Sequence, residues 1–284
     1  MELLNKYSKN ISSQYGEDGI IEFLIKTSSV PINKTCFECG ASDGITNSNT
    51  YNLWANHNYK GVLVEAAKDR FELLNKKFSN FSNLTIVNDY LTAKGENSID
   101  NILSKCKNTF HESLGVVSID IDSFDYYVLK YLNNNPQIII IEFNNSIPPF
   151  INYKDPEGEI YLRCSAKAIE ELAIKKGYKI VACTVTNAIL LREDCFDKSF
   201  HPNLPVECLI DYDQMQKTNN MYYCMINSQM ITSKPLFTRK LNFIDHLYFN
   251  ISRFLLVLFK KRIEPYKTPS IRVKEELEKA KIYF

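Results

Sequence analysis

Short apolar runs alternate with helix-forming stretches along the first half of the chain. The runs predict five strands, at residues 35–39, 61–65, 84–88, 115–120 and 137–143. The stretches before and between them predict helices at residues 12–26, 47–56, 68–78, 98–105 and 123–132. Strands that are apolar at successive positions are typical of a parallel sheet with helices on both faces. The alternation therefore predicts a doubly wound α/β fold.

The alternation changes after residue 163. Residues 164–176 predict a helix that ends at Gly177, and Tyr178–Thr184 and Ala188–Arg192 predict an antiparallel hairpin. Rossmann-type dehydrogenases usually keep their sheet parallel, whereas a parallel sheet finished by such a hairpin is characteristic of class I methyltransferases, which use S-adenosylmethionine (SAM). The predicted fold is therefore a Rossmann-like, doubly wound, seven-stranded and mostly parallel sheet with an antiparallel C-terminal hairpin.

The remaining third of the chain has a different character. We assign residues 1–195 to a SAM-binding domain and residues 196–284 to a mainly helical C-terminal extension of loops and helices. Residues 241–262 are strongly apolar, but polar residues interrupt the run, which argues against a membrane span. A core or homodimer-interface helix is favoured there, with a helix at a membrane surface as the alternative. Residues 271–283 predict a final charged helix.

Composition and charge narrow the classes of function. The 284 residues are 45% hydrophobic, as expected of a packed core, and the net charge of +1 predicts no general attraction to nucleic acid. Residues 230–284 hold 12 Lys and Arg against 5 Asp and Glu, net +7, which leaves −6 for the rest. The polar first ten residues indicate a cytoplasmic protein, with peripheral contact at the inner face of the membrane as a further expectation. Cys36 and Cys39 are expected to be small buried residues rather than a metal or redox pair.

A glycine turn follows the first predicted strand. Its spacing, Glu38-x-Gly40-x-x-x-Gly44, lets the backbone turn sharply and approach a ligand without Cβ atoms in the way. It is looser than the dinucleotide pattern G-x-G-x-x-G, which suits SAM because SAM has no pyrophosphate. Glu65 ends the second strand about 20 residues later, where an acid can accept hydrogen bonds from ribose hydroxyls. The predicted cofactor contacts in this region are Glu38, Gly40, Ala41, Asp43, Gly44, Glu65 and Ala66.

Polar and acidic residues also end the later strands. Asn88 and Asp89 follow the third strand, where they can hydrogen-bond an adenine amino group. Asp120 and Asp122 end the fourth strand, on one face by alternation, and Glu142 ends the fifth. A carboxylate without a partner costs on the order of several kcal/mol to bury, so these groups predict a ligand or a cation. The three acids could bind the amino group of SAM, act as general base or hold a divalent metal ion, with helix caps as the structural alternative.

Substrate contacts are expected from the long polar segment after the fifth strand. Residues 146–163 supply Tyr153, Lys154, Tyr161 and Arg163, which could anchor an anionic substrate, although an ordinary surface loop is the competing interpretation. His201 lies in a proline-containing loop beyond the hairpin and could face the same site.

Five motifs, in order, resemble those of the FkbM-type methyltransferases. They are Ser13–Gly19, Phe37–Gly44, Ser98–Leu103, Ser118–Asp125 and Ile141–Asn144. The resemblance implies SAM as cofactor, an oxygen atom as methyl acceptor and a precursor of a surface polysaccharide as substrate. It carries Glu38, Gly40 and Gly44 over to the methionine side of SAM and Glu65 to the ribose. The first motif implies that Gln14 and Asp18 lie near the cofactor or the substrate.

The sequence thus predicts a SAM-dependent O-methyltransferase that acts on a capsule or related glycan precursor, at a sugar hydroxyl or a phosphate or phosphoramidate oxygen. Asp120 or Asp122 is the expected general base for a hydroxyl acceptor. A SAM-fold module without catalytic activity, which scaffolds a glycan assembly complex at the membrane, is the alternative. A nicotinamide-dependent epimerase or reductase is disfavoured by the hairpin and by the lack of a Tyr-x-x-x-Lys pair at helix spacing.

Overall fold

A seven-stranded sheet forms the centre of the computed structural model, which describes residues 3–106, 113–145, 147, 149, 151–210, 223–226 and 229–232. Its strands are β1 (Thr35–Cys39), β2 (Lys60–Glu65), β3 (Leu84–Asn88), β4 (Val116–Ile119), β5 (Ile138–Glu142), β6 (Tyr178–Cys183) and β7 (Asn187–Arg192). They lie in the order β3-β2-β1-β4-β5-β7-β6. β7 runs antiparallel to both of its neighbours and the other pairs are parallel, so the predicted fold is confirmed.

Helices cover both faces of this sheet. They are α1 (Glu17–Thr27), α2 (Tyr51–Asn56), α3 (Lys68–Phe78), α4 (Ile99–Lys105), α5 (Asp125–Tyr131), α6 (Ala166–Lys175) and α7 (Val206–Leu209), with 3₁₀ turns at Leu4–Tyr7 and Glu193–Cys195. The chain leaves the sheet at the β3 edge and returns to its middle at β4, beside β1. The connections after β1 and β4 therefore diverge, and the crevice between them is where open α/β sheets bind ligands.

The strand residues divide between two cores, one on each face of the sheet. Phe37 and Cys39 pack with Ile119 and Ile141, whereas Cys36 packs on the opposite face with residues of α1 such as Ile20. Cys36 and Cys39 therefore lie on opposite sides of β1 and cannot form a common metal or redox site. Both side chains are buried, as predicted. This two-sided burial explains why the strands are apolar at successive positions.

The first helix begins later than its sequence pattern predicts. α1 starts at Glu17, after Gly16 in a left-handed conformation with φ of 96°, and not at Ser12. The residues before it form a loop held by the Asp18 carboxylate, which accepts hydrogen bonds from the backbone N–H groups of Ile11, Ser12 and Ser13, each at 2.8 Å. The Ser13 hydroxyl accepts a hydrogen bond from the Asp18 N–H in return. Side-chain bonds to the backbone thus replace the predicted first turn.

The described residues continue on the same core beyond residue 195. Val206, Leu209 and Ile210 are buried against the α6 and β6 side of the sheet, and Ile210 forms a β-bridge with Cys183. The division at residue 195 stays a prediction. A hairpin of β8 (Tyr223–Ile226) and β9 (Gln229–Thr232) lies within the predicted extension of loops and helices, whose mainly helical character stays a prediction. The predicted helices at 241–262 and 271–283 lie outside the described residues, and no described helix is long and apolar enough to cross a membrane.

Candidate active site

A cavity of about 530 Å³ opens at the carboxyl ends of β1, β2 and β4. The glycine turn and residues 46–49 form one wall, the end of β2 and residues 89–91 another, and residues 120–123 close the far end. The cavity is within the usual range of small-molecule sites, roughly 300–1,000 Å³. It lies at the predicted crevice.

Gly40 brings the end of β1 against the end of β4. Its φ is 70°, and a Cβ atom added there would lie 2.4 Å from the Asp120 carbonyl oxygen. No other residue type can meet both conditions without strain. Gly40 and Ala41 line the cavity, in agreement with their predicted positions.

Asp43 and Gly44 support the glycine turn from behind and do not line the cavity. A Cβ atom added to Gly44, whose φ is 80°, would lie 2.5 Å from Leu74 of α3, so this glycine serves helix packing. Asp43 accepts hydrogen bonds from the N–H groups of Ile45 and Thr46 and pairs with Lys77. Partial burial works against these bonds, but they prevail and lower the Asp43 pKa to about 2. The cofactor contacts predicted for these two residues stay predictions.

The buried Glu38 side chain fixes the part of the cavity wall that residues 46–49 form. Its carboxylate accepts hydrogen bonds from the Ser48 hydroxyl at 2.7 Å, the Thr50 hydroxyl at 2.6 Å and the Asn49 N–H at 2.9 Å. Burial raises its pKa to about 7, although the same hydrogen bonds oppose this. Glu38 lines the cavity as predicted and also determines the path of residues 46–50.

Glu65 ends β2 inside the cavity with both carboxylate oxygens held in place. One oxygen accepts the Ser42 N–H at 2.7 Å and the other accepts the Ala67 N–H at 2.8 Å. The residue is only 7% exposed, yet it lines the cavity together with Ala66. Each oxygen keeps a further lone pair, so the carboxylate is oriented and can accept two more hydrogen bonds.

The end of the cavity next to Glu65 and Asp89 differs from the prediction at one residue. Asn88 donates hydrogen bonds to the carbonyl oxygens of Glu65 and Ala66, at 2.8 and 3.2 Å, and holds the end of β2 instead of lining the cavity. Asp89 does line it. Arg70, which sequence reasoning missed, also lines the cavity and donates a hydrogen bond to the Ser42 hydroxyl at 2.6 Å. Its place in the first turn of the helix after Glu65 was the available signal.

Three acids meet near the far end of the cavity, and we call them the acid cluster: Asp120 and Asp122, which line the cavity, and Glu142, which does not. One carboxylate oxygen from each lies within 4.8 Å of the others. β4 ends at Ile119, and Asp122 has a left-handed φ of 55°, so strand alternation does not place it as predicted. A turn brings it back instead. Its side chain is 86% exposed, whereas Glu142 is 11% exposed.

Arg163 contacts this cluster directly. Its Nη1 atom lies 3.0 Å from an Asp122 carboxylate oxygen and also donates to the Glu142 carboxylate. Burial and the nearby Asp120 raise the Glu142 pKa to about 8, with the Arg163 charge opposing. Burial and Asp122 raise the Asp120 pKa. Glu142 and Asp120 therefore keep their protons to a higher pH than free carboxyl groups do.

Asp125, the first residue of α5, holds the turn that precedes this helix and does not cap it. Its carboxylate accepts hydrogen bonds from the N–H groups of Ile121 and Ser123, at 2.9 and 3.1 Å. Burial raises its pKa to about 6. The bonds hold the turn that carries Asp122 at the start of α5.

Glu17, and not Gln14 or Asp18, is the residue of the first motif that borders the acid cluster. Its buried carboxylate accepts hydrogen bonds from the Thr184 hydroxyl at 2.6 Å and from Asn187 at 3.0 Å. Asn187 lies directly opposite Glu142 in the β5–β7 pair, so their side chains share one face of the sheet. Gln14 is exposed, and one carboxylate oxygen of Asp18 accepts the backbone N–H groups of the preceding loop, so the predicted cofactor or substrate contacts of these two residues stay predictions.

Of the predicted substrate residues in segment 146–163, Arg163 is brought to the site. Tyr153 is 5% exposed and donates its hydroxyl to Asp155 at 2.7 Å, which leaves it no open surface for a substrate. The Lys154 ammonium lies 5.3 Å from the centre of the Tyr126 ring. The Tyr161 side chain is 38% exposed, and its N–H binds the Asp155 carboxylate. None of these three lines the cavity.

His201 lies at the opposite edge of the sheet. It is fully buried; its Nε2 atom is 2.9 Å from the Thr27 hydroxyl, and its Nδ1 atom accepts the Asp197 N–H at 2.9 Å. Thr27 ends α1, on the side of the sheet where β1 begins. Burial lowers the His201 pKa, which favours the neutral ring that these bonds require. The predicted substrate contact of His201 is therefore wrong.

Several solved structures resemble the chain at low sequence identity, whereas no protein-family model and no curated protein matches it. The CurJ carbon methyltransferase has a TM-score of 0.42 and 10% identity, over 62% of this chain and 52% of that one. The N-terminal domain of EvdMO1, solved with S-adenosylhomocysteine (SAH) and D-fucose, has a TM-score of 0.41 and 7% identity, over 65% of this chain and 84% of that one. A putative RNA methyltransferase from Pyrococcus horikoshii has a TM-score of 0.36 and 14% identity, over 64% of this chain and 87% of that one. The chain spans about half the length of CurJ and 51% of the citrinin polyketide synthase CMeT domain.

Proposed function

We propose that this protein is a cytoplasmic SAM-dependent O-methyltransferase of the FkbM type that acts on a hydroxyl group of a glycan precursor. The position of Glu65 carries the proposal. A buried carboxylate, oriented by two backbone N–H groups at the end of β2, faces a cavity at the strand order reversal. This is the arrangement that recognises the two hydroxyls of a ribose.

The remaining cavity residues suit the other parts of SAM. Asp89 lines the end next to Glu65 and would accept a hydrogen bond from the adenine amino group. Gly40 and Ala41 leave room for the methionine portion along the glycine turn.

The chemistry asked of the chain is then modest, because SAM supplies an already activated methyl group. The protein has to align the acceptor oxygen and exclude water. A hydroxyl acceptor must also lose its proton, and Asp120 lines the cavity beside Glu142 to receive it. Its raised pKa makes Asp120 a better proton acceptor than an ordinary aspartate.

The acid cluster favours a neutral hydroxyl over a phosphate or phosphoramidate oxygen as acceptor. Three carboxylates against the Arg163 guanidinium leave net negative charge there, even with Glu142 protonated. An anionic oxygen would be repelled, whereas hydroxyl groups would donate hydrogen bonds to the carboxylates. A sugar is the proposed source of the hydroxyl, because the motif resemblance is to enzymes of glycan assembly.

Calorimetric titration of the full chain with SAH tests the proposal. We expect the wild type to bind SAH and Glu65→Gln to bind it at least about tenfold more weakly, since an amide can accept only at one of the two positions. Glu72→Gln, on the exposed face of α3, is the matched control and should bind as the wild type does. Absence of SAH and SAM binding by the folded wild type would overturn the proposal. Binding without SAH production from SAM and a panel of neutral sugars would favour the scaffold alternative.

A further inference from the structure

We propose that the Arg163 guanidinium takes the place of a divalent cation in the acid cluster and positions Asp120 for its role as base. This rests on the proposed function, and it assigns a metal-independent mechanism to a site whose carboxylates otherwise match a metal centre.

The guanidinium lies where a shared cation would have to lie. One nitrogen, Nη1, contacts both Asp122 and Glu142, whose oxygens are within 4.8 Å of the Asp120 carboxylate. Hard divalent ions bind carboxylate oxygens at about 2.0–2.6 Å, so an ion between these acids would meet the same oxygens as Nη1. The two cations would repel each other at that separation, and the site holds one of them at a time.

The backbone of Arg163 is held in place by hydrogen bonds. Its backbone has a left-handed φ of 63°. Its N–H donates to the Asp155 carboxylate at 2.7 Å, and its carbonyl oxygen accepts the Asp155 N–H at 2.9 Å. Asp155 is 3% exposed and is held in turn by the Tyr153 hydroxyl. The adjoining residues Lys154 and Cys164 form a β-bridge. The guanidinium therefore reaches the cluster from a fixed origin.

The carboxylates in and around the acid cluster repel one another, and a cation between them reduces this repulsion. Beyond its own three acids, the electrostatic surroundings of Asp120 include Glu17, and those of Glu142 include Asp125. A charge-assisted hydrogen bond to a guanidinium offsets part of this repulsion without any ion from solution. A carboxylate oxygen of Asp120 lies within 4.8 Å of one of Glu142, which Arg163 holds, so the orientation of Asp120 towards the cavity depends on Arg163 through Glu142.

Manganese binding tests this assignment on the purified full chain, with free Mn²⁺ measured by electron paramagnetic resonance. The wild type should bind no Mn²⁺ at the cluster. Arg163→Met, which removes the charge and keeps much of the side-chain length, should bind Mn²⁺ at least about tenfold more tightly. Arg163→Lys, which keeps the charge, should behave as the wild type does. Adding Glu142→Gln to Arg163→Met should abolish the gained site.

The controls separate this inference from the proposed function. Unchanged SAH affinity of Arg163→Met demonstrates an intact cavity, and Arg163→Gln replaces Arg163→Met if the latter does not fold. Wild-type Mn²⁺ binding that Glu142→Gln abolishes would overturn the inference, as would no gain of binding in the folded Arg163 variants. Failure of SAH binding would overturn the proposed function while the Mn²⁺ result still decides the role of Arg163.

Discussion

Asn187, the first residue of β7, donates a hydrogen bond to the buried carboxylate of Glu17, the first residue of α1, across 170 positions of sequence. The Thr184 hydroxyl donates to the same oxygen, so the hairpin turn and the first helix meet at this carboxylate. The contact ties the start of α1 to the start of β7, where Asn187 lies opposite Glu142 of the acid cluster. Its energetic weight can be measured.

Glu17→Ala should lower the free energy of unfolding by about 1–3 kcal/mol, because it leaves buried donors on Thr184 and Asn187 without an acceptor. Urea titration followed by circular dichroism measures the change. Glu72→Ala on exposed α3 is the control, with an expected change of less than about 0.5 kcal/mol. Equal changes in the free energy of unfolding for the two variants would contradict a structural role of Glu17.

Gly40→Ala should weaken both stability and SAH binding. A left-handed alanine alone costs about 1–2 kcal/mol, and at Gly40 its Cβ would also lie 2.4 Å from the Asp120 carbonyl oxygen. Gly95→Ala is the matched control, because Gly95 also has a positive φ, of 86°, with nothing within 4 Å of an added Cβ. Urea titration should therefore give Gly40→Ala a clearly lower free energy of unfolding than Gly95→Ala. Calorimetry should give Gly40→Ala a clearly weaker affinity for SAH. Similar values for the two variants would contradict a close approach of β1 to β4.

Glu38 should make the protein less stable as pH rises from about 4.5 to 7. Burial raises its folded pKa to about 7, above the value of 4.5 for a free glutamic acid. Between these two values the unfolded chain has released the proton and the folded chain retains it, so stability falls with rising pH and levels off above 7. The stability difference between the wild type and Glu38→Gln should shrink across this window. A difference that is flat or grows with pH would contradict the raised pKa.

His201 should give the opposite pH dependence. Its pKa is lowered below 6.5 in the folded state, so the unfolded chain takes up the proton first as pH falls. The stability that His201 contributes is therefore lost as pH drops below about 6.5. Comparison of the wild type with His201→Gln by urea titration between pH 5 and 7.5 measures this loss. SAH affinity should stay unchanged in His201→Gln, and a large loss of affinity would return His201 to the active site.

The sheet and its binding edge were predictable because they depend on short-range patterns. Strands buried on both faces must be apolar at successive positions, and the carboxyl ends of parallel strands must share an edge, which placed Glu38, Glu65, Asp120 and Glu142. These positions follow from the strand boundaries alone. No knowledge of the loops was needed to bring them together.

Loop residues were less predictable because their direction depends on distant partners. Asn88 faces away from the cavity to bind the Glu65 and Ala66 carbonyl oxygens, and Tyr153 faces the Asp155 carboxylate. The start of α1 was predicted too early because the Asp18 carboxylate binds the preceding backbone. Glu17 was missed because its partners, Thr184 and Asn187, are more than 160 residues away in the chain.

The reversed direction of β7 has a consequence for how such a chain can diversify. Because β7 is antiparallel, its beginning and not its end meets the acid cluster, and a tight turn at residues 184–186 leads into it. Under the proposed function, substitutions within this turn would reshape the space offered to an acceptor while the cofactor half, built from β1 to β3, stays as it is. Selectivity for one hydroxyl over another would then be separable, within one polypeptide, from the capacity to hold the methyl donor.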